Sequence, residues 1–503
     1  MKKQVYVLIA LLHIIAALFV AFVIDRENWF DTAFSLETAN KLNTDGFNSI
    51  DFRNYDVHPP AYYYVLAGWE KLNVFGVSEY HWAQLLSIIF GVGFILFAVA
   101  TINKVFGSSR AIFIGSFLAI ASTYLHYSTE IRMYSLILFM SVMGIYGVVA
   151  GGRWRYLSLL VVFVLPNLHY LATFASMMIV AAYFVIRYED VDVKRWLGWF
   201  VMIISAGILF ALSYAIPQRM RVEATWLLSP TAISFPSALF YSMFTLQYDA
   251  VTSIVAGILF LIFIVSLVFF YVKVFRVLSH KGISREARIW IVFALSSIVP
   301  ALFIIGDVLI IQVFGRFGLG GIAQLYHPRF FLCVLWMFAI AYVVWLLDVL
   351  KKQERLVKIG LILFALVMIG FYAQYTNHEL DHLAAHTPCS SQHEYILHET
   401  PFSSIPYTVY AREHNCNWTN LVTTDITVRM SRSAGFDIIP PENVFWNNTF
   451  PDYEFLYARP PETNYIGSML GNRTQTLIDI EGPVNASGYC TNCIALVRVS
   501  AKN

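Results

Sequence analysis

The chain has 503 residues, of which 58% are hydrophobic and only 13% charged, with a mean hydropathy of +0.62 and a formal net charge of +2. Soluble globular proteins carry roughly 25% charged residues. The deficit excludes a soluble enzyme of ordinary type, and the near-neutral balance gives no argument for nucleic acid. The composition is that of a polytopic membrane protein.

The amino terminus, MKKQVYVLIALLHIIAALFVAFVI, places two lysines before an apolar run of about 20 residues, the length that crosses a bilayer. No small-residue cleavage site follows, so the run reads as a retained transmembrane helix rather than a cleaved signal. A long polar loop, about 25–82, comes next. In its opening, DRENWFDTAFSLETANKLNTDG, the residues Trp29, Phe30, Ala33, Phe34 and Leu36 recur at helical spacing opposite Glu37 and Lys41. That pattern predicts a helix lying in the membrane interface, with Asp31 beside its apolar face. Then YDVHPPAYYY forms a corner. Two prolines cannot sit inside a regular helix, and Tyr62, Tyr63 and Tyr64 suit the headgroup zone. His58 stands at the corner, able to donate to a phosphate or a sugar hydroxyl.

Further apolar segments near 83–103, 111–127, 133–150, 156–167, 171–186, 196–215, 250–272, 289–313, 330–349 and 359–374 bring the expected total to eleven spans. The fifth and sixth divide one long run at Pro166 and Asn167. Basic residues favour the cytoplasmic side. With an inside amino terminus, every inner loop is basic: Lys104 and Arg110; Arg153 and Arg155; Arg187, Lys194 and Arg195; Lys273 to Arg288; Lys351 to Lys358. Residues 1–375 therefore read as a transmembrane module and 376–503 as a polar domain outside the cytoplasm. In that tail TNLVTTDITVRM, TLIDIEG and NCIALVRVS read as strands, which predicts a small mixed α/β domain. Cys389, Cys416, Cys490 and Cys493 all fall in it and are candidates for disulfides. It also carries sequons at Asn417, Asn447, Asn472 and Asn485. The fold expected is a polytopic α-helical membrane protein of about 11 transmembrane helices with a C-terminal extracytoplasmic α/β domain, in the plasma membrane.

Polar residues gather on the outer side. HYSTEIRMYSL places Glu130, Arg132 and Tyr134 in a short loop between the third and fourth spans. Charges at such a depth are expensive and usually functional or paired. PNLHYLA puts His169 at the next outer junction, and AQLYHPRFFLCVLWMF puts His327 and Arg329 at the mouth of the tenth span. An acid with several cations and histidines at headgroup level suits a lipid-linked phosphate substrate: the acid can take a proton from an acceptor hydroxyl, and arginine suits phosphate geometry. No GxxxxGK(S/T), convincing GxGxxG or metal-ligand cluster at the usual spacing is present.

The motif order NWFDTAFSLETANKL, HPPAYYYVLAGWEKLNVFGVSEYHWAQLL, YSTEIRMYSLILF and NLHYLATF, followed by HPRFFLCVLW, resembles the polyprenyl-phosphate-sugar-dependent glycosyltransferases of the C-type superfamily, nearest the protein mannosyltransferase and aminoarabinose transferase branch of family 39 type. The resemblance covers about 1–200 and, more loosely, 290–350. It implies transfer of a sugar from a dolichyl or undecaprenyl phosphate to a protein, lipid or glycan acceptor, with inversion. Asp31 matches the family's first-loop acid, a catalytic base. Glu130, Arg132 and Tyr134 match its second outer motif, near the donor phosphate, His58 with Pro59 and Pro60 its corner, and Arg329 its arginine segment; with His169 these are the candidates for binding the donor phosphate or sugar. Three positions depart from the pattern: Thr32 follows Asp31 where a second acid is usual, Gln84 stands in place of an arginine, and Phe330 in place of a tyrosine. A lone first-loop acid favours chemistry without a metal or other cofactor. The competing readings are a transporter or flippase for lipid-linked sugars and a polysaccharide polymerase.

Overall fold

The structure is a computed structural model. It describes residues 1–21, 30–46, 50, 52, 58–74, 76–219, 234–243, 254–280, 282–305 and 328–375, and in the tail Cys416 and five strands. The helices in chain order are α1 (Lys3–Phe19), α2 (Phe30–Thr44), α3 (Ala61–Glu70), α4 (Glu79–Phe106), α5 (Ser108–Ile120), α6 (Ser122–Thr129), α7 (Tyr134–Ala150), α8 (Trp154–Leu168), α9 (Thr173–Arg187), α10 (Val193–Arg219), α11 (Ser234–Tyr241), α12 (Ile254–Leu278), α13 (Arg285–Leu295), α14 (Leu332–Val349) and α15 (Glu354–Tyr375). Every apolar segment picked out in the sequence overlaps one of these helices or, for 111–127, the pair α5 and α6, with 22–24, 250–253 and 306–313 outside the described residues. Among the described residues six helices are long and apolar enough to cross a membrane, and a seventh if α5 and α6, bent by 56° at Ala121, count as one broken span.

Two compact units emerge: Met1–Ile24 with Asp56–Tyr62 and Leu85–Tyr375, and Asp25–Tyr55 with Tyr63–Gln84 and Thr376–Asn503. In the first, α14 is central, with 83% of its apolar window buried. Its Trp336 is fully enclosed and donates its indole N–H to Ser141 Oγ on α7 (2.9 Å). By contrast only 22% of the windows of α10 and α12 is buried, and α12 exposes Leu261, Phe269 and Phe275. Apolar surface on this scale needs a lipid solvent.

The α7–α8–α9 packing has a local cause. A Cβ at Gly147 would lie 2.2 Å from Ser158 Oγ, and one at Gly144 2.4 Å from Ile179 Cδ1, so small residues let the three helices approach closely. Pro166 does not end α8, as its position in the sequence suggested. The helix continues to Leu168 and breaks at His169, where φ is −160° and ψ 136°. Proline lacks the N–H that would bond the carbonyl four residues back. That carbonyl, Val162 O, instead accepts from Ser176 Oγ on α9 at 3.0 Å.

At one end of this bundle the loops assigned to the inner side meet through ion pairs. Arg110 faces Asp348 (2.5 Å) and Glu286 (3.6 Å), Arg155 faces Asp190 (2.5 Å) and Asp192 (3.0 Å), and Arg288 faces Glu189 (3.2 Å). Arg187 and Arg285 both donate to Val149 O at 2.8 Å, capping the C-terminal end of α7.

The second unit corrects two expectations. Helix α2 is more enclosed than an interface helix with one buried face: Thr32, Ser35 and Thr38 are buried along with Ala33, Phe34, Leu36, Ala39 and Leu42, while Glu37, Asn40 and Lys41 are half-buried and Thr44 is exposed. It packs on α3 through Phe34 and Tyr63, 6.2 Å between ring centroids, and through Asn43 Nδ2, which donates to Ala67 O at 3.0 Å. Tyr62 and Tyr63 are accordingly core residues, 1% and 0% exposed, and only Tyr64 stays open. Trp69 and Trp82 stack at 4.7 Å, and each indole N–H donates to the other residue's carbonyl (2.7 and 2.9 Å), clasping the end of α3 to the start of α4.

The tail strands β1 (Glu394–His398), β2 (Trp418–Val422), β3 (Phe455–Arg459), β4 (Gln475–Glu481) and β5 (Ile494–Val499) form one sheet in the order β2-β1-β3-β5-β4. β1 runs parallel to β2 and β3, and β5 antiparallel to β3 and β4. The three strand segments read from the sequence overlap β2, β4 and β5; β1 and β3 were not anticipated. Helices expected beside this sheet fall outside the described residues.

Candidate functional site

The end of the bundle opposite the ion pairs collects the residues that stood out in the sequence. α7 begins at Tyr134 and, at 17 residues, is about 25 Å long, so Tyr134 and Val149 mark its two ends. His58 immediately precedes Pro59, Pro60 and α3. Its ring lies 5.0 Å from that of His169, which in turn lies 6.3 Å from Tyr134. Arg329, in the 3-10 turn Pro328–Phe331 that leads into α14, sets its guanidinium carbon 5.6 Å from the Tyr134 ring centroid. Tyr134, His169 and Arg329 line a small crevice with Ile137, Leu332 and Cys333, with about 10 Å³ of free space, room for about one water.

The break after α8 orients His169. Its Nδ1 accepts from Leu171 N–H at 3.1 Å, which starts the 3-10 turn Tyr170–Ala172. An acceptor Nδ1 places the proton of the neutral imidazole on Nε2, which makes that nitrogen the ring's donor. Arginine is always charged, and its fork matches phosphate oxygens. Stacking over Tyr134 restrains that fork. With His58, Tyr134 and Cys333 the crevice is rich in hydrogen-bond donors and suits an anion.

Glu130 and Arg132 lie just beyond it. Helix α6 ends at Glu130, where ψ is 130°, and Arg132 N–H donates to Glu130 O at 2.9 Å, closing a three-residue turn before α7. The Glu130 carboxylate stands 3.9 Å from His126 Nε2 one helical turn back, and Glu130 O accepts from Ser87 Oγ on α4 at 2.8 Å. Both charges are buried, at 8% and 5% exposure, but neither lines the crevice. Tyr127 links the groups. Its ring is 5.1 Å from Tyr134, it feels the charges of both Glu130 and Arg329, and its hydroxyl pairs with Tyr241 at 2.5 Å.

Asp31 is in the first turn of α2, in the second unit; its side chain lies outside what the structure describes. So do His327 and Cys389, Cys490 and Cys493. Of the two described cysteines, Cys333 is free and Cys416 is disulfide-bonded. Gln84, in the place of a family arginine, is buried and already committed: its amide donates to Tyr80 at 3.1 Å and its Oε1 faces His81 Nδ1 at 3.1 Å. No group of three or more metal-ligating side chains occurs among the described residues. The sequence pointed to His58, Tyr134, His169 and Arg329. It missed Tyr127, Tyr241, His126 and Cys333, which lie inside apolar helix patterns or in an unremarkable aromatic run.

The architecture is a known one: the chain shares its fold with solved structures. It is similar over 99% of its length to 98% of ArnT from Cupriavidus metallidurans, solved with bound undecaprenyl phosphate, at a TM-score of 0.52 and 11% identity. The apo state of that protein matches at 0.51, with 11% identity and 98% and 97% coverage. The oligosaccharyltransferase of Archaeoglobus fulgidus gives 0.49 at 10% identity, covering 93% of this chain and 70% of that one. No protein-family model and no curated protein matches the sequence.

Proposed function

We propose that this protein is a membrane glycosyltransferase that moves a sugar from a polyprenyl phosphate, dolichyl or undecaprenyl, to a protein, lipid or glycan acceptor on the extracytoplasmic side. The observation that carries the reading is the anion-ready crevice of Arg329, Tyr134 and His169, with His58 against His169. The C-type fold supports it, as does the undecaprenyl phosphate bound by the ArnT of similar fold.

In this reading Arg329 and His169 Nε2–H hold the carrier phosphate, and Glu130 and Arg132 shape the adjoining wall. The acceptor oxygen attacks the anomeric carbon. The bond from that carbon to the phosphate oxygen breaks, the phosphate leaves with the electron pair, and Asp31 takes the acceptor proton. Attack opposite the leaving group inverts the anomeric centre. Neither a metal nor another cofactor enters this sequence. The topology that accompanies it has eleven crossings, a cytoplasmic amino terminus and the tail, a mixed α/β domain, outside the plasma membrane.

The test incubates purified protein in lipid with a radiolabelled polyprenyl-phosphate sugar and an extract of candidate acceptors, with and without EDTA. Expected is label transfer that survives EDTA, falls by about 100-fold in Asp31→Asn, and falls by about 10- to 100-fold in Arg329→Ala, the worth of a charge-assisted hydrogen bond. Movement of intact lipid-linked sugar across the bilayer without bond cleavage would overturn the proposal in favour of a transporter.

A further inference from the structure

Helix α1 brings one histidine into the bundle, His13, and it is completely enclosed, at 0% exposure. Its two nitrogens reach both halves of the broken α5–α6 span. Nδ1 lies 2.8 Å from Ala119 O in the last turn of α5, and Nε2 lies 3.0 Å from Ser128 Oγ near the end of α6. A carbonyl can only accept, so Nδ1 carries a proton and donates to it. In the neutral ring Nε2 is an acceptor, and it shares the single Ser128 hydroxyl proton with Tyr124 O, which lies 2.6 Å from the same Oγ.

The position of this bridge matters. The last carbonyls of a helix lack intrahelical partners, and in a membrane they find no bulk water. The 56° bend at Ala121 contains no proline to fix it. His13 caps α5 and holds α6 with a single ring. Helix α4 closes the opposite side. A Cβ at Gly91 would stand 2.1 Å from Ser128 Oγ and 2.9 Å from His13 Nε2, and Ser87, one turn earlier on α4, donates to Glu130 O at 2.8 Å. Residues 128–130 are thus held by His13, by the bare backbone of Gly91 and by Ser87, immediately before the turn at Glu130 and Arg132 and the Tyr134 that lines the crevice. An imidazole inside a membrane helix is expensive. A leucine would fill similar space at less cost if packing were its whole role.

We infer that His13 is a positioning residue of the donor site. It touches no substrate and acts through Ser128 on the placement of Glu130, Arg132 and Tyr134. Its functional half rests on the proposed donor site; its structural half rests on the hydrogen bonds alone.

Hydrogen exchange and undecaprenyl phosphate binding, both on the full chain in nanodiscs, test the two halves separately. In His13→Leu the amides of 130–134 should exchange about tenfold faster while the rest of α4 to α9 is unchanged, and undecaprenyl phosphate should bind about tenfold more weakly. His13→Gln, whose side-chain amide can again bond Ser128, should restore most of both. Gly91→Ala should reproduce both defects by pushing Ser128 away, and decides the matter should His13→Leu not fold. Unchanged exchange at 130–134 in the folded variants, or a rise spread evenly over the chain, overturns the inference. A wild-type protein that binds no undecaprenyl phosphate counts against the proposed function, and the local exchange still decides the role of His13.

Discussion

At Glu189 the chain keeps an exposed carboxylate whose pKa lies below its ordinary value of 4.5, held down first by a hydrogen bond from the Tyr188 hydroxyl and then by Arg288. Arg288 grips both carboxylate oxygens, at 3.2 and 3.3 Å, while its guanidinium lies 4.5 Å from the Tyr188 ring centroid. A depressed folded-state pKa contributes stability that is fully present above the unfolded value and is lost as pH falls through the folded one. The Tm of wild type in detergent should therefore exceed that of Glu189→Gln at pH 6, and the gap should close as pH is lowered below about 4.5. A gap that is constant with pH would show that Glu189 acts by packing or by its neutral hydrogen bond. The same chemistry explains which residues could be read from the sequence. Glu130, Arg132, His169 and Arg329 were legible because a polar group beside long apolar runs needs a reason to be there. Tyr127, Tyr241 and His13 were not, because a tyrosine or a histidine within a helix pattern looks the same whether it fills the core or braces a site.

The break between α8 and α9 shows what can be read of an element and what cannot. Its existence was legible, since the apolar run was too long for one span and held a proline. Its place was read close to where it falls, between expected spans ending at 167 and starting at 171, with the break at His169; what was not legible is that the helix absorbs Pro166 in its last turn because Ser176, ten residues on, takes the carbonyl that proline orphans. Long-range satisfaction of this kind has no signature in a local window, and the same blindness applied to α2. Its apolar face was visible, but not the neighbours that also bury Thr32, Ser35 and Thr38. The carbonyl exchange predicts a coupling. Ser176→Ala should lower stability by about 1 kcal/mol, a buried carbonyl being left unpaired. In a Pro166→Ala background the restored N–H can take Val162 O, so the same substitution should cost roughly half that or less. Additive effects in thermal unfolding of the four proteins would show that the Ser176 hydroxyl does not compensate for the proline.

For the whole molecule, the strongest regularity is that the ion-paired loops and the candidate crevice sit at opposite ends of the same helices. α7 has Tyr134 at one end and the Arg187- and Arg285-capped carbonyl of Val149 at the other; α14 has Arg329 before it and Asp348, paired with Arg110, near its close. The alternation of basic loops made the helix order and this polarity legible, because each Lys- or Arg-rich loop restricts its two flanking helices together. How the helices pack, and which parts of the long first loop share a compact unit with the tail, depends on contacts between distant segments and had no such signal. The polarity carries a prediction about the bilayer. A cysteine at Lys351, exposed in the turn after α14, should react with a membrane-impermeant maleimide only after cells are opened, whereas an epitope appended after Asn503 should bind antibody on intact cells whose outer wall has been removed. Lys351 precedes α15 in the chain and the tail follows it, so a single crossing by α15 requires opposite answers. Labelling of both from the same side would make α15 a helix that does not cross, would move the tail to the face of the ion-paired loops, and would leave a glycosyl acceptor on the other side without help from that domain.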